Sequence, residues 1–210
     1  MKTAASKIKV LIADDHKIVR AGLAALLGTE PDIAVIGQAV NGADAVAQVQ
    51  KLRPDVVIMD LMMPVMDGAE ATEVIHRAHP DVRIVVLTTF GTSDGIAHAL
   101  NVGACGALMK NAEEEELSSA IRAAVRGERR VSAEIERLLQ SDPPAAELTP
   151  RQKSILDSMI RGLTNHDIAQ QLCIRQDGVK DHINAIFTKL GAANRAEAVA
   201  IALRKHLLKI

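Results

Sequence analysis

Residues 54–68 read PDVVIMDLMMPVMDG: a short, wholly apolar run, VVIM, closed by Asp60 and followed by a loop that holds Pro64 and Gly68. A strand apolar on both of its alternating faces is one that helices cover from both sides. Three further runs have the same form. IKVLIADD ends on the acidic pair Asp14–Asp15, RIVVLT ends on Thr88, and ALMK ends on Lys110. Strands are expected at 8–13, 34–39, 55–59, 83–88 and 106–109. Helical patterns fall between and after them, at 17–27, 42–52, 68–78, 94–102 and 113–126. Strict alternation implies parallel strands joined by crossover helices, so the expected front domain is α/β with a doubly wound, five-stranded parallel sheet. Open sheets of this kind gather their chemistry at the carboxyl ends of the strands.

The residues at those ends form a coherent set. Asp14 and Asp15 repel each other unless a cation sits between them. Mg²⁺ suits them, because it takes few protein oxygens, keeps waters and bridges to phosphate. Asp60 is then a nucleophile that accepts a phosphoryl group as an acyl phosphate. Lys110 pairs with one phosphoryl oxygen and Thr88 donates a hydrogen bond to another. A single Asp at a strand end is ordinarily a helix cap or a solvated charge; it is all four ends together that point to one site. His16 follows the acidic pair, but a site of hard oxygens does not call for imidazole, so it is not expected as a ligand.

Composition limits the alternatives. The chain has 210 residues, room for one large or two small domains. Apolar residues make up 48%, but Phe90 and Phe187 are the only aromatics, so the core must be aliphatic. Cys105 and Cys173 lie in different halves and fit no metal spacing; both are read as reduced, buried thiols. The first ten residues lack the apolar core of a signal peptide, and no apolar run is long enough to span a membrane. These features are consistent with a cytoplasmic protein. Charge is uneven: residues 1–127 carry a net −4, 128–147 a net −2, and 148–210 a net +5. A basic tail behind an acidic front points to nucleic acid as a partner of the tail.

Two domains joined by a linker are expected: 1–127, the α/β domain; 128–147, the linker, with a short helix near 132–140 and a Pro-rich stretch, SDPPAAE; and 148–210, all helix. The tail is punctuated clearly. Thr149, Pro150 and Gln152 make a capping box with Pro at the first helical position. Thr164 starts a short helix, a third spans 176–190 and stops at Gly191, and Asn194 caps the last. On the third helix, Lys180, Asp181 and Asn184 lie opposite Val179, Ile183 and Phe187, leaving a polar face free to enter a major groove. Lys180 can bond guanine or phosphate, Asn184 can read adenine, and Asp181 can accept from cytosine.

The motifs ADDH (13–16), MDLMMPVMDG (59–68), VVLTT (85–89) and GACGALMK (103–110) resemble the receiver domain of bacterial two-component response regulators. That resemblance implies a flavodoxin-like fold, phosphorylation of Asp60 by a sensor histidine kinase, and Mg²⁺ bound by Asp15, Asp60 and the carbonyl of Met62. LTPRQ (148–152), GLTNHDIAQQLCI (162–174), VKDHI (179–183) and KLGAANRAEAV (189–199) resemble the LuxR-type helix-turn-helix of NarL/FixJ regulators. It implies a small four-helix domain that binds promoter DNA as a dimer, through Val199, Ala202 and Leu203 of the last helix, with RNA polymerase as a further partner. The chain departs from these families at Ala107, where many receivers have a rotating aromatic. It departs again at Arg175 and Gly178, where Ser or Thr usually open the recognition helix; Arg175 cannot cap a helix, though its charge suits a phosphate. The receiver resemblance also implies that Met62 and Phe90, both apolar, flank the path of a hydrolytic water.

The resulting expectation is a DNA-binding transcriptional regulator, not an enzyme beyond its own phosphotransfer and dephosphorylation. An aspartyl-phosphate phosphatase would want a second Asp at position 62, where Met62 stands. A regulator that acts without phosphorylation, through constitutive DNA or protein contacts, is the competing reading.

Overall fold

In the computed structural model, described for residues 7–89, 93–144, 148–205 and 207, the chain divides into two compact units, Met1–Asp142 and Pro143–Ile210. The first unit runs β1 (Ile8–Ala13), α1 (Lys17–Gly28), β2 (Ile33–Ala39), α2 (Gly42–Leu52), β3 (Val56–Met59), α3 (Gly68–Ala78), β4 (Arg83–Thr88), α4 (Ser93–Asn101), β5 (Gly106–Met109), α5 (Glu114–Val125), β6 (Arg130–Val131) and α6 (Ala133–Ser141). All strand pairs are parallel, in the order β2-β1-β3-β4-β5-β6. The order reverses direction between β1 and β3, which places the ends of those strands at the switch point of the sheet.

Helices cover both faces of the sheet. Val10, Ile12, Ile58, Val85 and Leu87 pack on one side with Leu117 and Ile121 of α5. Leu11, Val57, Met59 and Ile84 pack on the other with Val49 of α2 and Ile75 of α3. Adjacent residues of one strand thus enter opposite cores, which is why these strands are apolar throughout.

The sheet has six strands among the described residues, not the five expected. After α5 the chain turns at Gly127 and adds β6 to the edge of β5 through Arg130 N–H to the Cys105 carbonyl and Ser132 N–H to the Ala107 carbonyl, both 3.0 Å. Two residues are too short to leave a periodic signature in sequence. The segment expected as linker is packed here: Ile135 of α6 is fully buried in one cluster with Ile96, Ala99 and Leu100 of α4 and with Ala107 of β5.

The second unit holds α7 (Pro150–Ile160), α8 (Asn165–Gln171), α9 (Gln176–Leu190) and α10 (Arg195–Arg204). Its starts and stops follow the sequence signals. Thr149 and Gln152 close a capping box on α7, Thr164 and Asp167 close one on α8, Asn194 caps α10, and Gly191 ends α9 at φ 67. Leu156, Ile168, Val179, Ile183, Ile186 and Ala198 make its core. Cys105 is half-buried, its Sγ 3.2 Å from the Ile84 carbonyl. Cys173 is exposed, contrary to expectation, because it occupies the turn between α8 and α9 at φ 51.

Candidate functional site

Ladder hydrogen bonds continue one residue past the strands and fix the site residues in register. Asp14 N–H bonds the Ala39 carbonyl at 3.1 Å, Asp60 N–H the Ala13 carbonyl at 2.8 Å, and Lys110 N–H the Thr88 carbonyl at 2.8 Å. The three strand ends and the end of β4 therefore stand side by side. Behind Asp60, α3 starts so close that a Cβ on Gly68 would lie 2.0 Å from the Asp60 carbonyl oxygen. Only glycine fits there, and the approach pins the loop that follows Asp60.

Lys110 Nζ lies 2.8 Å from Asp60 Oδ2, a hydrogen-bonded ion pair, and 2.6 Å from Asp14 Oδ2. Asp14 Oδ2 is buried and meets Lys110 Nζ as an ion pair, without a regular hydrogen bond among the described residues. Thr88 Oγ1 is likewise buried and without one. Buried polar atoms are rarely left so, and a site built to receive an oxygen-rich group is one reason for it. Asp14 and Thr88 are each 1% exposed and Asp60 4%.

Burial pushes the Asp60 carboxyl above its ordinary value; Lys110 opposes that shift and the charge on Asp14 adds to it. For Lys110, burial pulls the ammonium down, but its contacts with Asp14 and Asp60 outweigh burial and leave it raised. The pair is therefore an ammonium holding two carboxylates.

Asp14, Asp15, His16 and Asp60 each present one ligand atom, and these atoms lie within 4.8 Å of one another. Three carboxylates at this spacing fit a hard divalent cation such as Mg²⁺. His16 is inside the cluster, with Nδ1 2.7 Å from Asp15 Oδ1. Met62 is 54% exposed, beside the site mouth; Phe90 lies outside the described residues. Arg20 lies outside every motif of the sequence described above. Its guanidinium is buried on α1 and donates to the Asp14 carbonyl at 2.7 Å, fixing the backbone of the acidic pair. The available signal was a charged residue on the apolar face of a helix.

In the second unit, Arg175, Lys180, Asp181 and Asn184 are all exposed, while Val179 and Ile183 face the core. Lys180 Nζ is 3.4 Å from Asp177 Oδ1. Arg175 precedes α9 and makes no side-chain cap. Of the three residues expected at a dimer contact, Leu203 is 41% exposed, Val199 is partly buried, and Ala202 is 2% exposed. The Ala202 methyl packs into the unit's own core.

Residues 10–122 match the family of response regulator receiver domains, and residues 146–202 match the bacterial regulatory proteins of the luxR family. The chain is 41% identical over 209 residues to the transcriptional regulatory protein LiaR of Bacillus subtilis strain 168, covering 96% of this chain and 99% of that protein. It is 33% identical over 207 residues to the response regulator protein VraR of Staphylococcus aureus strain NCTC 8325, covering 96% and 99%. Among solved structures, the response regulator ChrA of a heme-sensing two-component system superposes with TM-score 0.60 at 33% identity, covering 97% of this chain and all of that one. The two-component response regulator RcsB in complex with DNA superposes with TM-score 0.67 at 25% identity, covering 95% and 99%.

Proposed function

This chain belongs to the two-component response regulators that join a receiver to a LuxR-type domain, and we propose that phosphorylation of Asp60 by a sensor histidine kinase controls its binding to promoter DNA. The observation that carries this reading is Lys110, bridging Asp14 and Asp60 beside an unpartnered, buried Thr88 hydroxyl.

An Asp60 carboxylate oxygen attacks phosphorus of the kinase's phosphohistidine; the new O–P bond forms as the P–N bond breaks and the imidazole leaves. Mg²⁺, when bound, neutralises charge on the transferring group. Asp14, Asp15, Asp60 and the Met62 carbonyl would hold it. Lys110 moves its ammonium from Asp60 to a phosphoryl oxygen, and the Thr88 hydroxyl donates to another. The chemistry ends there: the receiver transfers and releases its own phosphoryl group and turns over no other substrate.

The second unit, α7 to α10, acts as a four-helix helix-turn-helix domain. Arg175 is placed for a phosphate, and Lys180, Asp181 and Asn184 for base edges. Two copies bind paired half-sites, with Leu203 and Val199 at the contact and RNA polymerase as a further partner. Among the described residues no helix is long and apolar enough to cross a membrane, which is compatible with action at cytoplasmic DNA.

Incubation with a small acyl- or amido-phosphate donor and Mg²⁺ tests the acceptor. Wild type should acquire a hydroxylamine-sensitive label and Asp60→Asn none. A label retained on the variant would remove Asp60 as sole acceptor.

A further inference from the structure

We infer that His16 is a metal ligand, so that the cation site of this receiver accepts Mn²⁺ and later first-row divalent ions through one nitrogen donor besides its carboxylates. This rests on the proposed cation site and extends it to a side chain that sits on its rim.

Three observations carry the inference. The first is position. His16 is the N-cap of α1, with extended backbone at φ −84 and ψ 111, and its N–H donates to Asp14 Oδ1 at 2.8 Å. The backbone is thereby tied to the acidic pair, and the ring is carried to the top of the sheet beside it. The second is distance. His16 Nδ1 stands 2.7 Å from Asp15 Oδ1 and 3.5 Å from Asp14 Oδ1, and one ligand atom from each of Asp14, Asp15, His16 and Asp60 falls within 4.8 Å of the rest. Ligands about 2.1 Å from a six-coordinate ion stand roughly 3.0–4.2 Å from one another, so this set closes on an ion with small side-chain movements. The third is the state of the carboxylates. Asp14 Oδ2 and Asp15 Oδ1 are buried and make no regular hydrogen bond among the described residues; Lys110 Nζ stands 2.6 Å from the first and His16 Nδ1 2.7 Å from the second, and Asp14 is 1% exposed. Three carboxylates meet there beside a single described ammonium, Lys110, so a divalent cation would offset the negative charge that remains.

The chemistry sets the selectivity. Mg²⁺ takes oxygen and keeps its waters; it gains little from imidazole. Mn²⁺, Co²⁺ and Ni²⁺ bind imidazole increasingly well in that order. The His16 side chain is 68% exposed, so its ring can leave the Asp15 contact for an ion without disturbing the core. The backbone bond from His16 N–H to Asp14 Oδ1 keeps the ring beside the acidic pair.

The test uses the full-length chain with one equivalent of MnCl₂ and electron spin-echo envelope modulation. Wild type should show ¹⁴N modulation on the bound Mn²⁺, and His16→Ala should bind Mn²⁺ without it. In calorimetric titrations, His16→Ala should weaken Ni²⁺ binding at least about tenfold while changing Mg²⁺ affinity by less than about twofold. Bound Mn²⁺ without ¹⁴N modulation in wild type would overturn the inference and leave His16 as an ion-pair partner of Asp15. Modulation that persists in His16→Ala would overturn it too, by assigning the nitrogen elsewhere. Failure of wild type to bind either Mn²⁺ or Mg²⁺ more tightly than Asp60→Asn would sink the cation site itself.

Discussion

Lys110 holds two carboxylates at once, and at Asp60 that attraction works against burial. The balance leaves the Asp60 carboxyl raised above 3.8. A raised folded-state value means the folded protein holds the proton more tightly than the unfolded chain does. Asp60 therefore contributes stability below pH 3.8 that is lost as pH rises through its folded value. The amide introduced by Asp60→Asn does not titrate. In urea unfolding without Mg²⁺, the stability of Asp60→Asn relative to wild type should climb across that interval and level off above it. A difference that is flat with pH would contradict the assigned cause. Met62 lies at the mouth of the site and offers no partner to a hydrolytic water. Met62→Asn should make the phosphoprotein decay faster in Mg²⁺, because positioning of water is a large part of such hydrolysis; unchanged decay would exclude Met62 as a shield. At this scale, the meeting of Asp60, Thr88 and Lys110 was legible because each closes an apolar run, and neighbouring parallel strands bring those ends together. The contacts of Arg20 with the Asp14 carbonyl and of His16 with Asp15 were not, because sequence gives a residue's place on a helix and not the direction of its side chain.

Between elements, α6 and β6 extend the receiver beyond the last crossover helix. Ile135 is fully buried among α4 and β5, in the same cluster as Ala107. The space beside Ala107, where an aromatic switch would need to move, is thus part of an aliphatic core shared with α6. Ile135→Ala should destabilise the first unit by about 2–5 kcal/mol, read by urea unfolding, as for other buried large-to-small changes. A loss under about 1 kcal/mol would mean that α6 is only loosely attached. The opening turn of α9 gives the opposite case. A Cβ at Gly178 would meet nothing within 4 Å, so Gly178→Ala should stabilise the second unit by about 0.5–1 kcal/mol. Destabilisation would show that the turn needs glycine. The main strands and helices were legible because apolar runs and caps recur at fixed spacing. β6 was not, since its pairing depends on where α5 ends and on an edge strand distant in sequence.

For the whole molecule, the sequence separates an acidic front from a basic tail, and the two compact units divide in the same way. The front carries the buried charge cluster, and the tail presents a helix whose polar face is exposed. A family resemblance in both halves made the two activities readable together; their coupling is the part that neither half contains. Coupling free energies between sites commonly amount to about 5–150-fold in affinity. The decisive measurement is DNA binding at fixed salt, with promoter fragments selected from genomic DNA, for wild type and Asp60→Asn, each with and without an acyl-phosphate donor in Mg²⁺. The account predicts that the donor tightens binding by wild type within that range and leaves Asp60→Asn unchanged. Equal affinity in all four samples would show a regulator that binds DNA without regard to phosphorylation and would contradict the account.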